Sequence, residues 1–181
     1  MAKTDSEESF GPVEVRFAGP WLIPDDQYLG FIRQLFANAQ RRCLASLFMV
    51  GNAPWRGRDL VLEGLLRALA GACWRGVDAR LLIGGERSNA TAVQVAALAR
   101  RRAAELEVPC RWLTAVPGLS GHAKVVICDE NVVVGSRSWS EGAPEAPSDS
   151  VCVTSASLSL RLGKRFDQQW SAAVIGSGVA A

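Results

Sequence analysis

A continuous apolar run, "CLASLFMV" (Cys43–Val50), is followed by an amphipathic stretch, "LVLEGLLRALAGACW" (Leu60–Trp74), and then by "DARLLIGG" (Asp78–Gly85). The first segment lacks the alternation of a half-wet strand, so it reads as a strand covered on both faces. The second repeats its leucines at helical spacing and closes at Gly76. Two buried strands joined by a helix require a layered α/β arrangement, because only elements packed on both faces keep such strands from water.

The rest of the chain extends that pattern. "VEVRFA" (Val13–Ala18) alternates like a strand, and Asp25–Gln40 sets Tyr28, Phe31, Ile32, Leu35 and Phe36 at helical spacing after Pro24. Ala90–Glu107 reads as a helix leading into a short strand at "PCRWL". Ala123–Cys128 and Val132–Ser136 form a hairpin turning at "DEN", Ser150–Thr154 is a further strand, and Leu158–Val174 is a closing helix. The hairpin makes the sheet mixed. The expected fold class is therefore α/β, a mixed β-sheet sandwiched between helices on both faces. Residues 13–175 form one domain, with tails at 1–12 and 176–181. The Pro- and Ser-rich loop Glu141–Ser150 runs over the surface.

At 181 residues the chain holds one core and is short for two. No segment approaches the roughly 18 unbroken apolar residues of a membrane span. The first residues, "MAKTDSEESFGP", lack the basic-then-apolar order of a secretory signal, so the expected location is cytoplasmic. Five cysteines lie far apart with no C-x-x-C, and there is one histidine. They read as buried free thiols, and neither a metal nor a cofactor is expected. Net charge is only +2, but residues 31–130 hold eight acids and fourteen bases. The dense points are "QRRC", "PWRGR" and "ARRRAAE". Such runs are either solvated helix faces or a field for phosphates.

The chemistry concentrates in "HAKVVICD" (His122–Asp129) and "GSRSWS" (Gly135–Ser140). Residues i and i+2 of a strand share a face, so the only histidine, His122, projects with Lys124. A neutral imidazole is a nucleophile, and an ammonium beside it lowers its pKa and holds an anion. The pair suits attack on a phosphodiester, with Lys124 on a non-bridging oxygen. Gly135 and Ser136 would add a close backbone approach and a hydroxyl to the same phosphate.

These residues resemble the signature of the phospholipase D superfamily, H-x-K-x4-D-x6-G-S-x-N. His122, Lys124 and Asp129 match in type and spacing, and Gly135-Ser136 in type. Five residues rather than six separate Asp129 from Gly135, which a hairpin one residue tighter absorbs. Ser138 stands where the family has asparagine and keeps one hydroxyl for phosphate. "LFMVGN", "LLRALAGACWRGVDARLLIGG" and "FDQQW" extend the similarity to about residues 14–172.

The resemblance implies a phospholipase D-like half-unit with a metal-independent, two-step mechanism through a phosphohistidine. It implies catalytic His122 and Lys124, phosphate contacts from Lys124, Ser136 and Ser138, and Asp149 as the carboxylate that orients the histidine. Asp149 also reads as a plain loop cap before a strand. Asp129 and Gly135 would be structural. The mechanism needs two histidines and the chain has one, so a C2 homodimer is implied, with both motifs facing across the axis. Nucleic acid, DNA or RNA, is the favoured substrate. Arg56, Arg87, Ser88 and Asn89 are candidates for its groove, and no stable membrane association is expected. The alternatives are a phospholipase or phosphatidyl transferase, and a weakened module that binds nucleic acid without cleaving it.

Overall fold

The computed structural model describes residues 20–48, 50, 59–85, 90–113, 123–137, 139 and 149–175. The strand–helix–strand unit forms where its residues dictate. Arg42–Phe48 is β2 and Leu60–Trp74 is α2; Asp78–Gly84 is β3, parallel to β2 with Arg42 opposite Asp78 and Phe48 opposite Gly84. Asp59 caps α2 by accepting the Leu62 N–H at 2.9 Å. Leu62, Leu65, Leu66 and Leu69 are buried on one side of that helix. Each such leucine contributes about 1.5–3 kcal/mol by leaving water.

Ahead of this unit lie β1 (Trp21–Ile23) and α1 (Asp25–Asn38). Behind it come α3 (Ala90–Glu105), β4 (Cys110–Leu113), β5 (Val125–Cys128), β6 (Asn131–Gly135), β7 (Ser150–Thr154), α4 (Ala156–Ala172) and β8 (Val174–Ile175). All the strands join one sheet in the order β1-β7-β6-β5-β2-β3-β4-β8. The central β2, β3 and β4 are parallel, and the other pairings between these strands are antiparallel.

Two cores flank this sheet. On one face Ile32 and Phe36 of α1, the leucines of α2 and Ala96, Ala99 and Ala103 of α3 meet Cys43, Ala45, Leu81, Ile83 and Val126. On the other, Phe166 of α4 packs on Leu44, Leu82, Leu113, Ile127 and Val132. The expected sandwich of a mixed sheet between helices is present, three helices to one.

The departures from the sequence reading have local causes. The strand expected at 13–18 lies outside the described residues, as do both expected tails. Trp21–Ile23 pairs with β7 as an edge strand, which its short, unalternating composition did not announce. The closing helix starts at Ala156 because Ser155 accepts the Leu158 N–H at 3.2 Å. It stops before Val174 because Ala173 is extended, and Val174 then pairs with Trp112 of β4.

The hairpin turns in two residues, Asp129-Glu130, with Cys128 opposite Asn131. Asp129 adopts φ +52, a conformation aspartate tolerates better than most residues. Its carboxylate accepts the backbone N–H groups of Gln40 (2.8 Å), Arg41 (2.8 Å) and Arg42 (3.1 Å), tying the α1–β2 connection to the turn. Burial pushes the carboxyl pKa up, but these three donors and the Arg41 guanidinium outweigh it and hold the pKa below the ordinary value. A depressed folded pKa gives stability that is complete above the unfolded value, about 4, and is lost as pH falls through the folded one. Asp129→Asn is expected to cost about 1–3 kcal/mol at neutral pH. The gap to the wild type should close as pH drops below about 4. Urea unfolding at pH 7 and pH 3 checks this, and an equal gap at both would remove the clamp from the account.

Candidate active site

Because β5 runs antiparallel to β2, its first residue meets the carboxyl end of the parallel strands, the edge where open α/β sheets take ligands. Lys124 stands at that edge, one residue before β5, with Nζ 5.8 Å from the centroid of the Phe48 ring at the end of β2. That distance is at the outer limit of cation–π attraction and keeps the ammonium near the strand ends.

Register brings the other predicted groups to the same edge. The Gly135 N–H donates to the Lys124 carbonyl at 3.3 Å, and the Ser136 N–H to the Asp149 carbonyl at 3.2 Å. Lys124, Gly135, Ser136 and Asp149 thus lie in neighbouring rungs of β5, β6 and β7. The Ser136 and Asp149 side chains are exposed, and among the described residues neither has a hydrogen-bond partner. They are open to a ligand, and Asp149 does not act as a cap among the described residues.

Asp129 is not part of this group. It lies at the far end of β5, five residues from Lys124, which at about 3.3 Å per residue is about 16 Å away. Its carboxylate is occupied by the α1–β2 connection. His122, Ser138, Arg56, Arg87, Ser88 and Asn89 lie outside the described residues. Among the described residues no three His, Cys, Asp or Glu side chains gather as they would around a metal ion.

Gly135 has a packing reason of its own. A Cβ placed there would lie 2.0 Å from Ser150 Oγ, 2.7 Å from Ser150 Cβ and 2.9 Å from the Asp149 carbonyl oxygen. Ser150, opposite Gly135, is buried, and its hydroxyl has no partner among the described residues. Glycine lets the start of β7 come close enough to bring Asp149 beside Ser136.

The next residues of the motif hold α1 in place. Arg137 forms an ion pair with Asp25 in the first turn of α1. Trp139 is fully buried, edge-on to Phe36 with ring centroids 5.9 Å apart, and its indole N–H donates to the Tyr28 hydroxyl at 3.4 Å. Burial raises the Tyr28 pKa, so the phenol stays neutral. These partners lie more than a hundred residues away in the chain, so nothing in the local sequence points to them.

The basic runs resolve into ion pairs. Arg101 meets Glu105 at 3.3 Å, and Arg102 meets Glu63 at 2.5 Å and Glu105 at 2.7 Å. Arg102, then burial against it, then Arg67 set the Glu63 pKa, with the net result lowered to about 2. Arg41 meets Glu130 at 3.4 Å, and Arg42 donates to Ser159 Oγ at 2.8 Å. "PWRGR" lies outside the described residues. In the described runs Arg41, Arg42, Arg101 and Arg102 brace helices and turns, and Arg100 has no partner among the described residues.

Known proteins carry the same architecture. A family model described as cardiolipin synthase, PLD-like domain, matches residues 32–170. No curated protein sequence matches the chain. Among solved structures, Nuc from Salmonella typhimurium, a phospholipase D family member, is similar with a TM-score of 0.66 and 16% identity, over 86% of this chain and 96% of its own. NucT from Helicobacter pylori follows at 0.60 and 15%, over 86% of this chain and 98% of its own. TrmBL2, an archaeal chromatin protein with a novel mode of DNA binding, reaches 0.51 and 15%, over 90% of this chain and 55% of its own.

Gly135→Ala tests the packing at the centre of the site. It is expected to cost about 1–3 kcal/mol, the usual range for overpacking. Adding Ser150→Gly should recover part of the loss, because the two nearest clashing atoms leave. Strictly additive losses in denaturant unfolding would refute that contact.

Proposed function

The chain belongs to the phospholipase D-like family, described as cardiolipin synthase, PLD-like domain, and from that premise we propose that it is a metal-independent phosphodiesterase whose substrate is nucleic acid. One observation carries the reading. Backbone hydrogen bonds place Lys124, Gly135, Ser136 and Asp149 in adjoining strands at one edge of the sheet, and the chain's one histidine, His122, lies two residues before Lys124. A cation, a hydroxyl and a carboxylate beside a nucleophilic imidazole are what attack on phosphorus requires.

The steps follow from that set. An imidazole nitrogen of His122 attacks phosphorus, a P–N bond forms, and the P–O bond to the leaving group breaks. The leaving oxygen takes a proton from a second imidazole. Water then attacks the phosphohistidine, gives its proton back to that second imidazole, and the P–N bond breaks. Lys124 and the hydroxyls of Ser136 and Ser138 hold the non-bridging oxygens, and Asp149 fixes the ring of His122. The nucleophile is a side-chain nitrogen, so no metal-activated water is needed for the first step.

The second imidazole comes from another copy in a homodimer. A row of exposed apolar side chains supports this: Leu22 (63% exposed) pairs with Val151 (37%), and Val151 with Val134 (48%). The row crosses β1, β7 and β6 on the α4 side of the sheet and ends two residue pairs from Ser136 and Asp149. A second copy seated there brings two sites together and removes the row from water.

The nuclease reading draws on the similarity to Nuc and NucT, and the family's description as cardiolipin synthase keeps phospholipid in view. The test is incubation in excess EDTA with plasmid, single-stranded DNA, RNA and cardiolipin vesicles, alongside His122→Ala. Metal-free cleavage of nucleic acid abolished by the substitution is expected. Turnover of lipid alone would replace the substrate, and salt-sensitive binding without cleavage would leave only a binding module.

Val134→Asp tests the dimer. It should yield a monomer by sedimentation and lower activity at least about tenfold, since each site loses its proton donor. A monomer with full activity would eliminate the shared site.

A further inference from the structure

Helix α4 lacks the acid–base spacing that pairs arginines on α2 and α3. On α2, Arg67 has Glu63 four positions before it, at 2.7 Å. On α3, Arg101 and Arg102 have Glu105 four and three positions ahead. On α4 the residues three and four positions from Arg165 are Arg161, Leu162, Gln168 and Gln169, with no acid among them. Arg161 and Arg165 form a like-charge i,i+4 pair, which disfavours a helix. The one acid of α4, Asp167, is taken by Arg80 at 2.9 Å.

Most other described arginines have a protein partner, Arg33 and Arg100 being the exceptions. Arg75 donates to the Phe36 carbonyl, Arg80 to Asp78, Arg111 to the Trp170 carbonyl, and Arg137 to Asp25. Arg165 is exposed and has no hydrogen bond or ion pair among the described residues.

Its position is specific. A cavity of about 40 Å³ lies between α4 and the sheet, lined by Arg165, Gln169 and Ser46 together with apolar groups of β5 and α4. Ala123, the residue before Lys124, is part of its wall. The Ser159 hydroxyl of α4 donates to the Asp129 carbonyl at the far end of β5. From there the helix advances about 9 Å to Arg165, at 1.5 Å per residue, toward the Lys124 end. Phe166, buried in the second core, fixes that turn of the helix against the sheet. The guanidinium therefore projects from a rigid element beside the candidate site, on the face of the sheet opposite α1, α2 and α3.

We propose that Arg165 grips a non-scissile phosphate of a polynucleotide, so that the substrate backbone runs along α4 past the Ala123–Lys124 edge, with Ser46 and Gln169 lining the slot beside it. This rests on the phosphodiesterase reading and deepens it by naming a residue that holds the substrate away from the cleaved bond. A polynucleotide presents a second phosphate next to the one being cut, and a guanidinium meets phosphate oxygens in bidentate fashion. A small diester has no second phosphate and should ignore Arg165.

The test compares a single-stranded oligonucleotide with bis(p-nitrophenyl) phosphate in wild type, Arg165→Ala and Arg165→Lys. Arg165→Ala should raise KM for the oligonucleotide about five- to tenfold, the loss of one charged contact, with kcat nearly unchanged. Its kcat/KM on the small diester should stay within about twofold, since no contact there is lost. In equilibrium binding, the slope of log affinity against log salt should fall by about 0.7, one phosphate's worth on a single strand. Arg165→Lys should restore that slope. An unchanged slope, or equal losses on both substrates, would overturn the assignment. If wild type hydrolyses neither substrate, the catalytic reading fails, while the salt slope of binding still decides Arg165. Cardiolipin vesicle turnover with no oligonucleotide binding would overturn it outright.

Discussion

The pairing of β5 with β2 is the joint on which the rest depends. It attaches an antiparallel half, β5–β6–β7–β1, to a parallel half, β2–β3–β4, and its direction decides which end of β5 faces the ligand edge. The Asp129 carboxylate secures the far end of that joint with three backbone N–H groups. A charged acceptor satisfying three donors is worth more than three neutral hydrogen bonds, and it fixes the register of the whole hairpin. One motif residue therefore works about 16 Å from Lys124, setting the frame of the hairpin.

At the near end the constraint is closeness rather than charge. Gly135 lets Ser150 lie against the β6 backbone, and that approach brings Asp149 beside Ser136. Arg137 and Trp139, two and four residues beyond Gly135, anchor the outgoing chain on α1 through Asp25, Phe36 and Tyr28. Exposed Ser136 and core-packed Arg137 and Trp139 share one short segment, so substitutions at Gly135, Arg137 or Trp139 act on stability as well as on the edge beside Ser136.

The charge distribution changes meaning once the chain is folded. Clusters that stand out in the linear sequence, Arg41-Arg42 and Arg100–Arg102, mostly meet acids or hydroxyls within the protein. Arg165, which does not stand out, lies beside a slot next to Lys124 without a partner among the described residues. A run of like charge in sequence measures local density, whereas attraction for a polyanion depends on what remains after internal pairing.

Much of the fold was legible in the residues. α2 and β7 fall at their expected bounds, and most other elements within a few residues, because apolar periodicity and caps such as Asp59 are local properties of the chain. The signature string was equally legible, and with it the family. Strand order, the contacts of Asp129, the reason for Gly135 and the exposed row Leu22–Val151–Val134 were not. Each joins segments many residues apart, and nothing in either segment encodes its partner. β1 and β8 are short and patternless, so only the free N–H and C=O groups of their neighbours specify them. The sequence by itself determined which elements form and which chemical groups the chain carries. Tertiary structure alone decided which of those groups share an edge and which charges stay unspent, because distance and internal pairing arise only when the sheet closes.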